Sequence, residues 1–308
     1  MAAVGKEKHL VVVVGPTAVG KTDLCVYLAK KYAAEIISAD SRQFFREMRI
    51  GTAKPSPEEQ QGIPHHFIDS HSIAEEYNAG GYEQDVLALL PKLFEQQDIV
   101  IMTGGSGLYV RAVCEGMDEM PETDLALRER LTHQYELQGL QPLLEQLQLL
   151  DPVYFAQVDK DNPQRVIRAV EVCLSSGAPY SSFRRNGQRE RPFHIIKIGL
   201  TRDREDLYQR INQRMDQMLA QGLLEEAREL YPHRKHNALQ TVGYKEIFDY
   251  LDGLCDWEEA VRLLKRNSRR YAKRQLTWFR KNPEEYTWFH PGQLQEIVAF
   301  INQQTDLK

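Results

Sequence analysis

His9-Leu10-Val11-Val12-Val13-Val14-Gly15-Pro16-Thr17-Ala18-Val19-Gly20-Lys21-Thr22 decides the fold class. The first six residues form a valine-rich run of the kind buried on both faces of a parallel sheet. The next eight match GxxxxGK(S/T). In that motif glycines let backbone N–H groups turn toward a phosphate chain, the lysine adds a point charge, and the hydroxyl can ligate magnesium. Leu24, Leu28 and Tyr32 then recur at helical spacing. Strand, loop and helix stand in the order the motif requires. Gly15, Pro16, Thr17, Ala18, Val19, Gly20, Lys21 and Thr22 are therefore the candidate phosphate ligands, with Thr22 the candidate ligand for Mg2+.

Working outward, Glu35 to Ala39 reads as a second strand ending on Asp40-Ser41, and Tyr82 to Gln96 as a helix. Asp98 to Met102 is a third strand closed by Thr103-Gly104-Gly105. Strands alternating with helices predict a parallel α/β sheet. From Met117 the pattern changes: Glu122 to Leu150 and Gln164 to Ser175 are helical, and strand character returns only at His194 to Leu200. The reading is one α/β core, residues 1–116 and 196–308, interrupted by an all-helical insertion at 117–195. Beyond it, Asp203 to Gln221, Leu223 to Leu230, Tyr244 to Leu251 and Trp257 to Lys281 read as helices, with no further strand.

The 308 residues are 42% hydrophobic and 27% charged, which excludes disordered and collagen-like chains and is a length for about two domains. No window approaches the roughly 18 consecutive apolar residues of a membrane span, and Met1 to His9 lacks a signal-peptide pattern. A cytoplasmic monomer with no membrane partner is expected. Cys25, Cys114, Cys173 and Cys255 form no CxxC pair and stand near no closely spaced histidines, so they read as core residues rather than a zinc site or disulfide framework. The formal net charge of -5, from 39 Lys plus Arg against 44 Asp plus Glu, argues on its face against nucleic acid.

Phosphate-loop nucleotide hydrolases need a further acidic residue for the metal, and the strand ending in Thr103-Gly104-Gly105 offers none. Asp40 is the nearest acidic candidate on the carboxyl edge of the sheet, where ligands bind in open α/β folds. It has two functional readings, metal ligand or general base, and one structural reading, capping of a following helix through Asp40 or Ser41.

Gly15 to Thr22, Ile37-Ser38-Ala39-Asp40-Ser41-Arg42-Gln43, Gly51-Thr52-Ala53-Lys54-Pro55 and Gly104-Gly105-Ser106-Gly107-Leu108-Tyr109 together resemble the tRNA dimethylallyltransferase (isopentenyltransferase) family. Asn162 to Ala169, Val242-Gly243-Tyr244 and Lys273 to Arg280 continue the match in the same order over nearly the whole chain. The resemblance implies an α/β, P-loop NTPase-like parallel sheet core with an inserted helical domain that meets the tRNA anticodon stem-loop. It implies transfer of the dimethylallyl group of dimethylallyl diphosphate to N6 of the adenosine 3'-adjacent to the anticodon, position 37, with release of diphosphate. On this reading Asp40 is the general base, the Thr17 hydroxyl donates toward the diphosphate, and Arg210 and Arg214 reach it from the far side. Spacing alone leaves those two arginines open to i to i+4 pairing on a solvated helix face. The absence of a C2H2 zinc finger after the match reads as the bacterial form.

The resemblance also assigns a tRNA surface. Asp40, Ser41, Arg42 and Gln43 would meet the target base, with Ser106 and Arg128 at matching contact positions. Gln164, Arg165, Val166, Ile167 and Arg168 belong to the insertion, and Gly243, Tyr244 and the block Lys273, Arg274, Gln275, Leu276, Thr277, Trp278, Phe279, Arg280 complete it. Independently, Arg262 to Lys281 carries nine basic and no acidic residues in 20. On a helix, Arg262, Arg266, Arg269 and Lys273 make a stripe, while Leu264, Tyr271 and Trp278 turn toward the core. Arg184, Arg185, Arg189 and Arg191 read as a second basic element, a mobile loop that orders on RNA. A small-molecule kinase, a prenyltransferase of free adenine nucleotides and a non-catalytic RNA-binding module are the competing readings.

Overall fold

A computed structural model describes residues 7–122, 124–184, 187 and 189–305. β1 (His9–Val14) carries the phosphate loop into α1 (Lys21–Tyr32), and β2 (Ile36–Ser38) follows. A short helix α2 (Pro57–Gln60) and the two-residue β3 (His65–His66) precede α3 (Ala79–Gln96), β4 (Ile99–Gly104) and α4 (Gly107–Glu115). The chain divides into two compact units, Met1–Glu115 with Glu190–Lys308, and Gly116–Arg189.

The second unit contains α5 (Leu125–Gln138), α6 (Gln141–Leu150), α7 (Pro152–Phe155) and α8 (Pro163–Ser176). Gly139 separates α5 from α6 within the stretch read as one helical pattern. Leu127, Leu131, Leu143, Leu147, Val166, Ile167 and Val170 form its core. Asp124, Asp151 and Asn162 cap α5, α7 and α8 by accepting backbone N–H groups, which satisfies donors that have no partner inside the helix.

The first unit resumes with β5 (His194–Leu200), α9 (Arg204–Ala220), α10 (Leu223–Leu230), α11 (Lys245–Leu251), α12 (Trp257–Phe279), β6 (Thr287–Phe289) and α13 (Leu294–Thr305). Residues 190–195 lie in this unit, which differs from the expected 117–195 insertion. The Arg191 guanidinium is buried here, donating to Glu83 and to the Ala112 and Val113 carbonyls.

The six strands run in the order β3-β2-β4-β1-β5-β6, and all neighbours pair in parallel. β1 alternates by parity, as a two-residue strand period requires. Val11 and Val13 face a core with Leu24, Leu28, Leu207 and Ile297, while Leu10, Val12 and Val14 face one with Tyr82, Val86, Val110 and Phe279. Leu10 to Val14 are fully buried, each contributing roughly 1.5 kcal/mol or more. Because β1 lies between β4 and β5, the strand order reverses there, and the carboxyl ends of β1, β2 and β4 converge on one crevice.

Two strands depart from the sequence expectation. β6 lies beyond Lys281, where no strand was read, and β3, likewise unread, is only two residues long. Both run along the edges of the sheet and owe their extended form to pairing with β5 and β2. A third apolar cluster joins Phe45 and Met48 to Met215 and Met218 of α9, Leu230 of α10, Tyr244 and Ile247. It fixes α9 and the 45–53 loop at the rim of the crevice. No helix among the described residues is long and apolar enough to cross a membrane.

Candidate active site

The phosphate loop turns around Ala18, whose φ of 63° lies in the left-handed region, a strain of the kind that clusters at ligand-binding turns. Lys21 Nζ donates to the Gly15 and Pro16 carbonyls at 3.0 and 2.9 Å, arching its side chain over the loop. Burial pushes the Lys21 ammonium down to about 8, partly offset by the nearby Asp40 carboxylate.

Three side chains from distant segments brace this loop. Arg210 of α9 donates to the Ala18 carbonyl at 2.9 Å, and Arg202 to the Val19 carbonyl at 2.7 Å. Arg214 donates to the Thr17 hydroxyl at 3.5 Å and to the Ala53 carbonyl at 3.2 Å. Arg210 and Arg214 thus face the loop; it is Arg202 that pairs with Asp206, at 3.0 Å. Burial lowers the Arg214 pKa against the opposing pull of Asp40.

A cleft of about 420 Å³ is lined by Thr17, Lys21, Thr22, Asp40, Arg42, Gln43, Arg210, Arg214, Gly243 and Gln275, among others. Asp40 enters it from the end of β2, and its Oδ1 accepts the Arg42 N–H at 3.2 Å. This caps a turn rather than the start of a helix. Tyr271 of α12 lines the same cleft, and burial followed by the Asp40 charge pushes its phenol up to about 12. β4 brings no carboxylate, and the geometry explains why: a Cβ at Gly104 would lie 2.2 Å from the Ala39 carbonyl oxygen.

Other residues position the cleft wall. Gln43 accepts from the Ser38 hydroxyl at 3.1 Å and donates to the Thr52 and Ala53 carbonyls. Ser106 Oγ accepts the Ser41 N–H at 2.9 Å and donates to Ser41 Oγ at 3.1 Å. Arg42 donates to the Asn237 carbonyl at 3.3 Å. Gly243 N–H donates to Glu246 at 2.9 Å. Sequence reasoning missed Glu226, Tyr271 and Arg202, because nothing local marks an acid, a phenol or a guanidinium as aimed at a loop far away in sequence.

Several assignments to an RNA surface need correction. Val166 and Ile167 belong to the core of the helical unit, and Tyr244 and Phe279 to cores of the first unit, so their side chains face no RNA. Leu276 packs partly buried against the sheet. Arg128 and Arg168 both bind Glu171, a fully buried carboxylate. Gln275 is buried between the Thr17 N–H and the Gly105 carbonyl. Gln164, Arg165, Lys273, Arg274, Thr277, Trp278 and Arg280 are exposed. Trp278 therefore does not turn toward the core as its spacing suggested; Phe279 takes that place.

The basic run is also less bare than its sequence. Arg262 binds Glu259 just before it, Lys265 binds Asp216 of α9, and Arg280 donates to Thr201 while lying over the Trp288 ring. In the second basic element, Arg184 lies over Tyr154, Arg189 pairs with Glu119, and Arg191 is buried on Glu83. Arg185 lies outside the described residues. Of this element, Arg184, Arg189 and Arg191 make contacts within the protein.

For magnesium, no group of three or more His, Cys, Asp or Glu among the described residues could hold an ion alone. The cleft offers the Thr22 hydroxyl and the Asp40 carboxylate. That donor set fits magnesium, which keeps waters and takes most other ligands from substrate phosphates.

The fold and this cleft define a phosphate-loop enzyme of the parallel α/β, P-loop NTPase-like class. Residues 43–282 match the family model described as IPP transferase. The tRNA dimethylallyltransferase of Cytophaga hutchinsonii is 55% identical over 294 residues, 96% of each chain. That called tRNA dimethylallyltransferase 1 of Bacteroides fragilis is 50% identical over 294 residues, 96% of this chain and 97% of that one. Among solved structures, the full-length tRNA isopentenylpyrophosphate transferase of Bacillus halodurans superposes with a TM-score of 0.72 at 41% identity, covering 98% of this chain and 97% of that one. A eukaryotic dimethylallyltransferase acting on tRNA superposes with a TM-score of 0.77 at 25% identity, covering 96% of this chain and 77% of that one. The chain belongs to the IPP transferase family.

Proposed function

We propose that this enzyme transfers the dimethylallyl group from dimethylallyl diphosphate to N6 of adenosine 37 in the tRNA anticodon loop. The observation that carries the reading is a single cleft holding phosphate-loop cations opposite Asp40, with no carboxylate at the end of β4. Such a site suits departure of a diphosphate better than positioning of a hydrolytic water.

The diphosphate lies at the N-terminus of α1, on N–H groups of the phosphate loop that have no partner within the helix, with Lys21, Arg210 and Arg214 around it. Arg214 donates to the Thr17 oxygen, which leaves the Thr17 proton to donate toward the diphosphate. The allylic C–O bond breaks with its electron pair leaving on diphosphate, and the cations stabilise the charge that develops. N6 of adenine attacks the allylic carbon, a C–N bond forms, and the N6 proton passes to the Asp40 carboxylate. The Thr22 hydroxyl would hold magnesium, which would supply further charge neutralisation when bound.

The target base lies within an RNA loop, so reaching Asp40 requires extruding it into the cleft. Arg270, Lys273 and Arg274 of α12 present exposed positive charge, and on the helical unit Arg165 does so beside the exposed, neutral Gln164. Affinity should fall as salt rises, since phosphate contacts displace counterions.

The test is incubation with dimethylallyl diphosphate, magnesium and unmodified tRNA, followed by nucleoside mass analysis. One adenosine should gain one dimethylallyl group without ATP; unaltered adenosine, or phosphoryl transfer from ATP, overturns the reading. Asp40→Ala should lose roughly 100-fold or more of turnover while binding tRNA as before, and near-normal turnover would remove Asp40 as the base.

A further inference from the structure

Among the described residues that line the cleft, Tyr271 and His65 alone carry rings. His65 pairs with Ile36 at the amino end of β2, away from the carboxyl edge where Asp40 stands. Tyr271 belongs to the inner face of α12, and Ser268 and Gln275, one turn to either side of it, line the same cleft. Gln275 touches the phosphate loop through the Thr17 N–H at 2.9 Å. One turn earlier, Tyr271 comes under the Asp40 charge, which together with burial pushes its phenol up to about 12. Its hydroxyl reaches the Ser106 side chain, which holds Ser41 next to Asp40. The exposed Arg274 guanidinium, 5.7 Å from the ring centroid, steadies the ring from the solvent side of the helix. The ring thus stands between the loop that takes the diphosphate and the carboxylate that takes the proton.

That place has a chemical requirement of its own. As diphosphate departs from an allylic carbon, positive charge develops over the allylic carbons. Lys21, Arg210 and Arg214 stabilise the leaving group but repel that carbon charge. A carboxylate in contact with it would capture it as an ester. A neutral aromatic face carries negative electrostatic potential and no nucleophilic lone pair, so it can stabilise the charge without trapping it.

We infer that Tyr271 is a catalytic residue whose ring face lies against the allylic carbons of the donor and stabilises their positive charge in the transition state. The inference rests on the transfer reading proposed above. No bond forms to the ring: the C–O bond breaks with its electron pair on diphosphate, the N6 lone pair forms the C–N bond, and the N6 proton goes to Asp40. The carbon charge exists in the transition state and not in the bound donor, so the ring acts on the rate of the chemical step rather than on affinity.

The experiment measures the single-turnover rate of prenyl transfer with both substrates saturating, together with donor KM and tRNA binding by anisotropy. Tyr271→Phe keeps the ring and should stay within about twofold of wild type in all three. Tyr271→Leu keeps apolar bulk without the π face; it should slow the step about tenfold or more while donor KM and tRNA affinity stay within about twofold. Phenylalanine bearing successively more fluorines, placed at position 271, should lower the logarithm of the rate in step with fluorine number, since each fluorine drains the ring face and barely changes its size. These near-isosteres decide the role where Tyr271→Leu folds poorly. A flat fluorine series, a Tyr271→Phe loss as large as that of Tyr271→Leu, or a Tyr271→Leu loss confined to tRNA affinity overturns it. A wild type that forms no prenylated adenosine overturns the transfer reading itself, whereas product from the wild type with a flat fluorine series overturns the role of the ring alone.

Discussion

Gln275 Oε1 accepts the Thr17 N–H at 2.9 Å, while its Nε2 donates to the Gly105 carbonyl at 3.0 Å. One buried amide thus ties the basic helix α12 to the phosphate loop and to the end of β4. Gln275→Leu removes both bonds and leaves the Thr17 N–H and Gly105 carbonyl without them. Stability should fall by about 1 to 3 kcal/mol in urea unfolding, and the donor KM should rise about tenfold or more from the misplaced loop. An unchanged donor KM with lowered stability would make Gln275 a purely structural tie.

Lys21 sets a pH limit. Burial holds its ammonium down at about 8 against the pull of Asp40, and a neutral amine attracts diphosphate poorly. The kcat/KM for the donor should therefore decline as pH rises through about 8, since this ratio reports the free enzyme. Lys21→Arg should remove that inflection, because a guanidinium stays charged there. The same shift bears on folding: between about 8 and the ordinary 10.5 the unfolded chain binds more protons than the folded one. The contribution of Lys21 to stability should rise with pH across that window, as unfolding curves of wild type and Lys21→Met can measure.

Glu226 organises the opposite rim. Its carboxylate accepts the N–H groups of Arg49, Ile50 and Gly51 at 3.1, 2.7 and 3.0 Å and the Tyr244 hydroxyl at 2.6 Å. The loop it holds presents the Ala53 carbonyl to Gln43 and Arg214. Glu226→Ala should cost about 3 kcal/mol in urea unfolding by leaving charged-group hydrogen bonds unmade. A double-mutant cycle with Tyr244→Phe should show coupling of about 0.5 kcal/mol or more.

Glu171 separates scaffolding arginines from binding ones. Fully buried, it pairs with Arg128 at 2.7 Å and Arg168 at 2.5 Å. Glu171→Ala should destabilise the helical unit by about 1 to 3 kcal/mol, because it removes the charged hydrogen bonds that Arg128 and Arg168 make to it. Exposed Arg165→Ala should leave unfolding unchanged and weaken tRNA binding, with a shallower salt dependence by about one phosphate contact.

The strand, loop and helix from His9 to Tyr32 were legible because their signals are local: a buried valine run, a glycine turn and helical spacing follow one another directly. His194–Leu200 and Leu223–Leu230 coincide with the sequence reading for the same reason. β3 and β6 were not legible, since two or three residues carry no periodicity and become strands only through pairing at a sheet edge.

Within the site, motif membership named the right segments but could not say which way each side chain turns. In the block Lys273 to Arg280, Gln275 and Phe279 point inward while Trp278 lies outward on Gly107. The face a helix buries depends on what packs against it, and that partner is far away in sequence. Likewise the count of basic residues said nothing of Glu83, Glu119, Glu171 or Asp216, acids that hold Arg191, Arg189, Arg128 and Lys265 over separations no window spans.

The sequence by itself therefore determined the phosphate loop, the parallel α/β class and the family, because each is written in contiguous residues. Tertiary structure alone decided which cations brace the protein and which face outward, and that Asp40, Lys21, Arg214 and Tyr271 share one cleft. Proximity between residues from four different segments is a property of the folded chain, created by burying both faces of the sheet.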